Sequence, residues 1–299
     1  MFTPARFSAL PERPFPGDPD GYPARRDVSR YLRDYAADFG FPVRCDTRVV
    51  RVTSGGAGLS VETTTDVIPA RAVVAATGAF QRPRVPAFAC DLAPHVHQLH
   101  SSAYRNPGAL PGRSVLVVGA GNSGLQIAAE LAAASKEVHL AVGSSQLPLP
   151  RRILGRDIFW WLDRIGFTRA PVDRLPTWLA GDGDILIGHT VGRTLRRGGM
   201  SRHPRVTGVD DGGVVFADGS RTDVDVVLWA TGYRPDYSWL PADAVEPDGR
   251  PIHRRGSSPV AGVYFVGLEN QYSTASSLIG WVQRDARTIA EHAAAYVRR

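Results

Sequence analysis

The residues most clearly suited to a binding role are the glycines of GAGNSG, at positions 119–124, directly after the apolar run 114–118. Gly119 allows a tight turn without a Cβ clash. Gly121 lets the backbone approach a pyrophosphate, and Gly124 lets the following helix pack close to the strand. A glycine-rich structural turn is the alternative, but the surrounding pattern of strand, turn, helix and strand favours a dinucleotide-binding βαβ unit.

The helix after this turn would complete the phosphate site. The backbone N–H groups of Asn122 and Ser123 lie in its first turn, where the positive end of the helix dipole favours an anion. Apolar residues then recur with helical spacing as far as residue 134, and the apolar run 138–142 predicts the next strand.

The end of that second strand predicts which dinucleotide binds. NAD-binding proteins usually have an Asp or Glu there that accepts a hydrogen bond from the ribose 2′-hydroxyl, but positions 141–145 read AVGSS. Ser144 and the guanidinium groups of Arg151 and Arg152 suit a 2′-phosphate. The sequence therefore favours NADPH (NADP), although the two arginines could also be an ordinary solvated surface pair.

Helices and strands elsewhere follow from hydrophobic periodicity. Apolar spacing predicts helices over residues 27–39, around residues 185–197, and from residue 274 to the end of the chain. The remaining apolar runs predict short strands, most of them in two clusters on either side of the glycine turn.

These two clusters are an internal repeat. RVVRV, LSVET and RAVVAATGAF are matched about 155 residues later by PRVTGV, GVVFADG and DVVLWATGYR. Each copy reads as a β-meander that leads into an apolar strand ending in Ala-Thr-Gly. A repeated module implies a duplicated architecture, with one dinucleotide for each module.

Composition excludes several classes of function. The 43% hydrophobic and 21% charged residues are typical of a globular protein, and no apolar run is long enough to span a membrane or to form a signal peptide. We therefore expect a cytoplasmic protein with no membrane association. The net charge of +6 comes from arginines spread along the chain, with Lys136 as the one lysine, so nucleic-acid binding is not expected. Cys45 and Cys90 predict buried or half-buried free thiols, and no metal site is indicated.

Taken together, FTPARFS, LHSSAYR, VVGAGNSG, ATGYRPDY and GVYFVGL make the sequence resemble the flavin-containing monooxygenases and the bacterial flavoproteins grouped with them. The resemblance implies an α/β fold with two Rossmann-like dinucleotide-binding domains, each a three-layer parallel sheet with a β-meander. It places an FAD domain in residues 1–111 and 223–299 and an NADP(H)-binding domain in residues 112–222. NADPH would reduce FAD, and the reduced flavin would use oxygen to oxygenate a small-molecule substrate.

The resemblance also implies flavin contacts. Val49 would contact the adenine side of FAD through its backbone. The turns Thr77-Gly78 and Thr231-Gly232 would line the cofactor cleft, and Gly267 would approach the flavin. His100 and Tyr104 match the family signature that precedes the NADPH unit, whereas Pro94 and Val96 stand where Phe and Gly are expected.

The main departure from the family is the FAD phosphate cradle. Such proteins begin with their own glycine fingerprint before FTPAR, and this sequence has no second one, so its FAD domain is expected to be N-terminally incomplete. Three interpretations follow: a flavoprotein monooxygenase with a late or truncated start, a non-catalytic NADP(H)-binding remnant, and an NADPH-dependent reductase with an external acceptor. Catalytic residues, the substrate and the oligomeric state are not assigned by the sequence.

Overall fold

The computed structural model describes residues 3–56, 58–143, 147–176, 185–188 and 200–299. Its α-helices are α1 (Arg25–Asp38), α2 (Asn122–Ala133), α3 (Ile158–Arg164) and α4 (Val282–Val297). Short 3-10 helices cover Ala5–Phe7, Ala87–Asp91, Pro107–Ala109, Phe167–Arg169, Val172–Arg174 and Ala242–Ala244.

The strands fall into two sets in chain order. Before α2 they are β1 (Val49–Gly55), β2 (Gly58–Thr63), β3 (Val67–Ala70), β4 (Val73–Ala75), β5 (Arg82–Pro83), β6 (His97–His100) and β7 (Ser114–Val118). After α2 they are β8 (Glu137–Ala141), β9 (Leu147–Leu149), β10 (Arg152–Ile153), β11 (Arg156–Asp157), β12 (Ile185–Ile187), β13 (Met200–His203), β14 (Val206–Asp210), β15 (Gly213–Phe216), β16 (Arg221–Thr222), β17 (Val226–Trp229), β18 (Tyr233–Arg234) and β19 (Val263–Phe265).

The chain divides into two compact units. Unit 1 lies within residues 1–81, 159–181 and 234–299, and unit 2 lies within residues 82–158 and 182–233. The sequence placed the domain limits after residues 111 and 222 instead. The structure differs because β6, ahead of the first of those limits, pairs with β17 in the main sheet of unit 2.

Unit 2 is built on a five-stranded sheet in the order β13-β8-β7-β17-β6, and every pair of neighbours is parallel. Successive side chains of a strand point to opposite faces, so β7 contributes to two cores. Val115 and Val117 pack with Leu125 and Leu131 of α2, while residues on the other face pack against the meander β14–β16. Helix, sheet and meander form three layers, which confirms the predicted α/β, Rossmann-like fold class for this unit.

Unit 1 contains an antiparallel meander, β1–β3, and a parallel pair, β4 and β19. Its larger core includes Val52, Leu59, Tyr237 and Phe265. A smaller core holds Ala5, Phe15 and Tyr31 of α1.

Helix α1 begins and ends where its sequence supplies capping groups. The Asp27 carboxylate accepts from the Ala24 N–H at 3.0 Å, which satisfies a backbone donor at the N-terminus. Beyond the C-terminus, Gly40 has a φ of +60°, the left-handed conformation that commonly terminates helices. The helix predicted over residues 27–39 is confirmed with small shifts of its ends.

Three local predictions need correction. Residues 185–187 form strand β12, which pairs with β9, rather than the start of a helix, and residues 189–197 of that predicted helix lie outside the described residues. The C-terminal helix begins at Val282 and not near residue 274, because the intervening residues form a run of turns and bends. Cys45 and Cys90 are exposed, since one lies in a turn and the other in a short 3-10 helix.

The described residues contain neither a membrane-spanning helix nor a cluster of metal ligands. None of the helices there has the length and apolar character needed to cross a bilayer. Within the same part of the chain, no group of three or more His, Cys, Asp or Glu side chains is arranged to hold a metal ion.

Candidate dinucleotide-binding site

The glycine turn lies at the carboxyl end of β7, next to the end of β17. Gly119 has a φ of +107°, and a Cβ at this position would overlap the carbonyl oxygen of Ala230. A Cβ at Gly124 would overlap the carbonyl oxygen of Gly119 and lie 3.2 Å from the Cβ of Ala230. Both glycines are therefore required sterically, as the fingerprint predicted.

The turn leads directly into α2. Gly121 is the N-cap residue in an extended conformation, and Ser123 is exposed in the first helical turn. The Oδ1 of Asn122 accepts a long hydrogen bond of 3.4 Å from the Ile187 N–H. Asn122 thus connects the turn to the β9–β12 pair, a contact that sequence reasoning did not anticipate.

The second Ala-Thr-Gly turn lies beside the glycine turn in the same unit. The Thr231 hydroxyl donates to the carbonyl of Arg84, and the Arg84 N–H donates to the carbonyl of Gly232 at 2.9 Å. The Nε2 of His100 lies 3.0 Å from that same Gly232 oxygen. Because a carbonyl only accepts, Nε2 carries the proton and Nδ1 accepts from the Ser102 N–H at 3.2 Å.

His100 is therefore a neutral, positioning residue of this turn. Burial lowers the pKa of its imidazole, with the bond to Gly232 acting in the opposite direction. The sequence singled out His100 through a family motif but did not assign its role. Its role follows from the pairing of β6 with β17, which places this histidine opposite Trp229, and the sequence HQLH carries no strand pattern that would have indicated it.

The end of β8 is where the ribose specificity group was predicted. The carbonyl of Gly143 accepts from the Nε and Nη2 of Arg205 at 3.2 and 2.7 Å. Nothing in the sequence indicated Arg205, because the residues of β13, MSRH, do not have a strand pattern. Ser144, the predicted contact here, lies outside the described residues.

The two predicted arginines lie farther along the chain. Arg151 is half-buried and follows β9, and its carbonyl accepts from the Ile158 N–H at 2.9 Å. Arg152 is exposed in β10, which pairs with β11. Their assignment to a 2′-phosphate stays a prediction.

The remaining predicted residues belong to unit 1. Val49 begins β1 opposite Thr63. Gly78 and Gly267 have φ values of +67° and +80°, which suit glycine. The Nε2 of Gln81 donates to the Thr77 hydroxyl and to the Gly78 carbonyl at 2.8 and 2.7 Å. Their flavin contacts also stay predictions.

The residues of unit 2 fit a dinucleotide. The five-stranded sheet reverses its order between β7 and β17, and ligands of such sheets bind outside the carboxyl ends of the strands at this point. Gly119 and Gly124, at which a Cβ would overlap neighbouring backbone atoms, lie at this point. The first turn of α2 supplies backbone N–H groups there. In the described part of unit 1, no glycine turn joins a parallel strand to a helix in this way.

Comparisons with known proteins agree with this geometry. Residues 11–150 match the sequence model of the family described as pyridine nucleotide-disulphide oxidoreductase. A protein of Geobacillus kaustophilus (strain HTA426), described as an uncharacterized CzcO-like oxidoreductase, is 40% identical over 288 residues, which cover 96% of this chain and 82% of the relative. Indole-3-pyruvate monooxygenase YUCCA4 of Oryza sativa subsp. japonica is 29% identical over 319 residues, with 91% and 72% covered.

Solved structures are similar over almost the whole chain. The flavin-containing monooxygenase from Stenotrophomonas maltophilia is 29% identical, with a TM-score of 0.80, and the match covers 99% of this chain and 84% of that one. Fold, glycine turn and relatives together define an oxidoreductase. More particularly, the chain belongs to the flavin-containing monooxygenase-like family, together with its CzcO-like relatives.

Proposed function

We propose that the protein is an NADPH-dependent flavoprotein oxidoreductase of the monooxygenase type, which uses FAD and oxygen to oxygenate a small organic substrate. The observation that carries the proposal is the close approach of Gly119 to the Ala230 carbonyl. This contact holds the turn after β7 against the end of β17, at the point of the sheet where a pyrophosphate would bind. The family supports the flavin and the oxygenation.

The residues of unit 2 have separable tasks in this function. The backbone of residues 119–124 and the first turn of α2 would bind the pyrophosphate of the nicotinamide dinucleotide. His100 holds the carbonyl of Gly232, and so fixes the strand end against which Gly119 packs. When bound, the nicotinamide supplies a hydride and the flavin passes the electrons to oxygen.

The test measures nucleotide binding, flavin content and turnover on one preparation of the full chain. We expect NADPH to bind with micromolar affinity, flavin absorbance near 450 nm after incubation with FAD, and NADPH-dependent oxygen uptake. Gly119→Ala should abolish NADPH binding because its Cβ would overlap the Ala230 carbonyl. Gly219→Ala is the matched control, since Gly219 also has a positive φ (+80°) but nothing lies within 4 Å of its Cβ position.

Each result has a distinct meaning. Binding of NADPH without any flavin would identify a non-catalytic nucleotide-binding protein. NADPH oxidation that needs an added electron acceptor and consumes no oxygen would identify a reductase. If Gly119→Ala binds NADPH as well as the control does, the glycine turn is not the nucleotide site and the proposal fails.

A further inference from the structure

Strands β8 and β13 end side by side at one edge of the unit 2 sheet. They are parallel, with Ala141 opposite His203, so the residues that follow each strand emerge at the same edge. Gly143 follows β8 by two residues, and Arg205 follows β13 by two. In a dinucleotide-binding unit the residues after the second strand face the ribose of the adenosine. Arg205 therefore lies where the ribose 2′ substituent is read.

The contacts of Arg205 fix its guanidinium at this position. Its Nε and Nη2 donate to the Gly143 carbonyl, and its own carbonyl accepts from the Ala217 N–H at 2.8 Å. The three atoms nearest to a Cβ built on Gly143 all belong to Arg205, at 3.5 to 3.7 Å. The side chain is thus held against the strand end rather than extended into solvent.

Arg205 retains binding capacity after these contacts. A guanidinium has five N–H donors, and only two of them are used on Gly143. The side chain is exposed, and no acidic group among the described residues forms an ion pair with it. Asp218, next to Ala217, is engaged by the N–H and hydroxyl of Ser220.

Glu137 of β8 and His203 of β13 do not compete for this role. Glu137 lies at the opposite, amino end of the strand. His203 is hydrogen-bonded to His139 at 2.9 Å and stacked on Phe216, and burial lowers the pKa of its imidazole. No carboxylate occurs at positions 141–143, where an NAD-binding protein would have one.

We propose that Arg205 is the specificity-determining residue that binds the 2′-phosphate of NADPH, with the Gly143 carbonyl orienting its guanidinium. The inference rests on the proposed function, since it concerns the same nucleotide. A planar, always charged fork matches a phosphate in two hydrogen bonds. Arg205 would then contribute directly to selectivity for NADPH over NADH.

The test measures binding of adenosine fragments to the purified full chain by calorimetry. Adenosine 2′,5′-bisphosphate carries the 2′-phosphate, and adenosine 5′-diphosphate has a 2′-hydroxyl in its place. We expect Arg205→Gln to weaken binding of the 2′,5′-bisphosphate and of NADPH by about ten- to a hundredfold, the range for a charged hydrogen-bonded pair. Binding of the 5′-diphosphate and of NADH should not change.

Arg113→Gln is the matched control for loss of charge. Arg113 is exposed on the same sheet but immediately before β7, at the edge opposite the nucleotide. We expect this variant to bind all four ligands like the wild type. Arg205→Lys, which keeps the charge but loses the fork, should retain part of the preference for the 2′-phosphate. Thermal melting of each variant checks that the fold is retained.

The outcomes separate this inference from the proposed function. Equal weakening of all four ligands by Arg205→Gln would make Arg205 a structural clamp on Gly143 and overturn the inference alone. Unchanged binding of NADPH by a folded Arg205→Gln variant would overturn it as well. A wild-type protein that binds NADH as tightly as NADPH contradicts the NADPH preference itself, and one that binds neither contradicts the proposed function.

Discussion

The two repeated modules of the chain, residues 49–78 and 206–232, have the same backbone design. Both begin with a three-stranded antiparallel meander, and each meander has a register irregularity at its first strand, between Val49 and Arg51 in one and between Val206 and Gly208 in the other. Each then enters a parallel strand and an Ala-Thr-Gly turn. The repeat identified in the sequence is therefore a repeat of structure, including its irregularities.

The turns differ in how their glycine is held. The Gly78 carbonyl accepts from Gln81, three residues along the chain, whereas the Gly232 carbonyl accepts from His100, 132 residues away. Both glycines have a positive φ, +67° and +78°. The Gly78 carbonyl is thus held by a neighbour in the chain, which in turn accepts from the Asp236 N–H, whereas the Gly232 carbonyl is held directly by a residue distant in sequence.

The strands differ in their neighbours. Strand β17 lies between β7 and β6, while β4 pairs with β19. The consequence is clear when the two Ala-Thr-Gly turns are aligned, because Val74 is 44% exposed whereas Leu228, at the corresponding position, and the neighbouring Val227 are completely buried. One sequence pattern fixes the local conformation, and the surrounding elements decide how deeply its strand is buried. Only the second module has Gly119 packed against its strand end.

Truncation of Val227 and of Val74 should give the largest difference in stability between the two modules. Val227→Ala removes two buried methyl groups and leaves a cavity, so we expect a loss of about 2–3 kcal/mol in the free energy of unfolding of unit 2. Val74→Ala makes the same chemical change at an exposed site and should cost less than about 0.5 kcal/mol in unit 1. Hydrogen exchange of peptides from each module, followed through a urea titration, reports each unit separately. Equal losses at both positions would show that the modules are equally packed.

Much of this arrangement could be predicted from local sequence signals. The strand predicted over residues 114–118 is observed as β7, and the glycine turn follows from steric rules that need no tertiary information. The repeat was visible because its apolar strands and its two Ala-Thr-Gly turns are close copies. Each of these features depends on residues that are near one another in the chain.

The sheet edges could not be predicted in this way. Strands β6 and β13 read HQLH and MSRH, with neither an apolar run nor alternation, because edge strands are partly exposed. Their pairing with β17 and β8 is decided by contacts between residues distant in sequence. The roles of His100 and Arg205 depend on those two strands, so both were missed.

Removal of the side chains that bond to the Gly232 and Gly78 carbonyls should give a smaller difference in stability between the two modules. His100→Ala leaves the Gly232 carbonyl with the Arg84 N–H alone and removes a ring in edge contact with Tyr233, so we expect a loss of about 1–2 kcal/mol in unit 2. Gln81→Ala removes the bonds that the side-chain amide donates to Thr77 and Gly78 and the one that its Oε1 accepts from the Asp236 N–H. Because these groups are exposed or half-buried, the loss should be about 0.5–1 kcal/mol in unit 1. Urea unfolding monitored by hydrogen exchange again separates the units.

NADPH affinity gives an independent readout of the same pair. His100→Ala should weaken NADPH binding, because Gly232 lies two residues after Ala230, the residue against which Gly119 packs. His100→Gln, which can still donate to a carbonyl, should recover part of the affinity. The comparison breaks down if Gln81→Ala is the more damaging of the two alanine variants.

Acidification should also destabilise one module and not the other, and we expect this difference in stability to be the smallest of the three. The neutral His100 ring donates from Nε2 and accepts at Nδ1, so protonation removes the acceptor that binds the Ser102 N–H. Burial lowers the pKa of this histidine in the folded state, whereas the unfolded chain titrates near 6.5. The unfolded chain therefore binds the proton more tightly. The stabilisation by His100 is complete above about pH 6.5 and declines as the pH falls below it.

Gln81 does not titrate, so the first module should not share this decline. Hydrogen exchange of residues 230–232 and 76–78 between pH 7.5 and 5.5, corrected for intrinsic rates, compares the two turns directly. We expect local opening of the second turn to become easier toward pH 5.5 while that of the first stays constant. In His100→Gln the pH dependence of the second turn should disappear, because the replacement carries no titrating group. A second turn that kept its protection at pH 5.5 in the wild type would mean that opening of this turn is not coupled to protonation of His100.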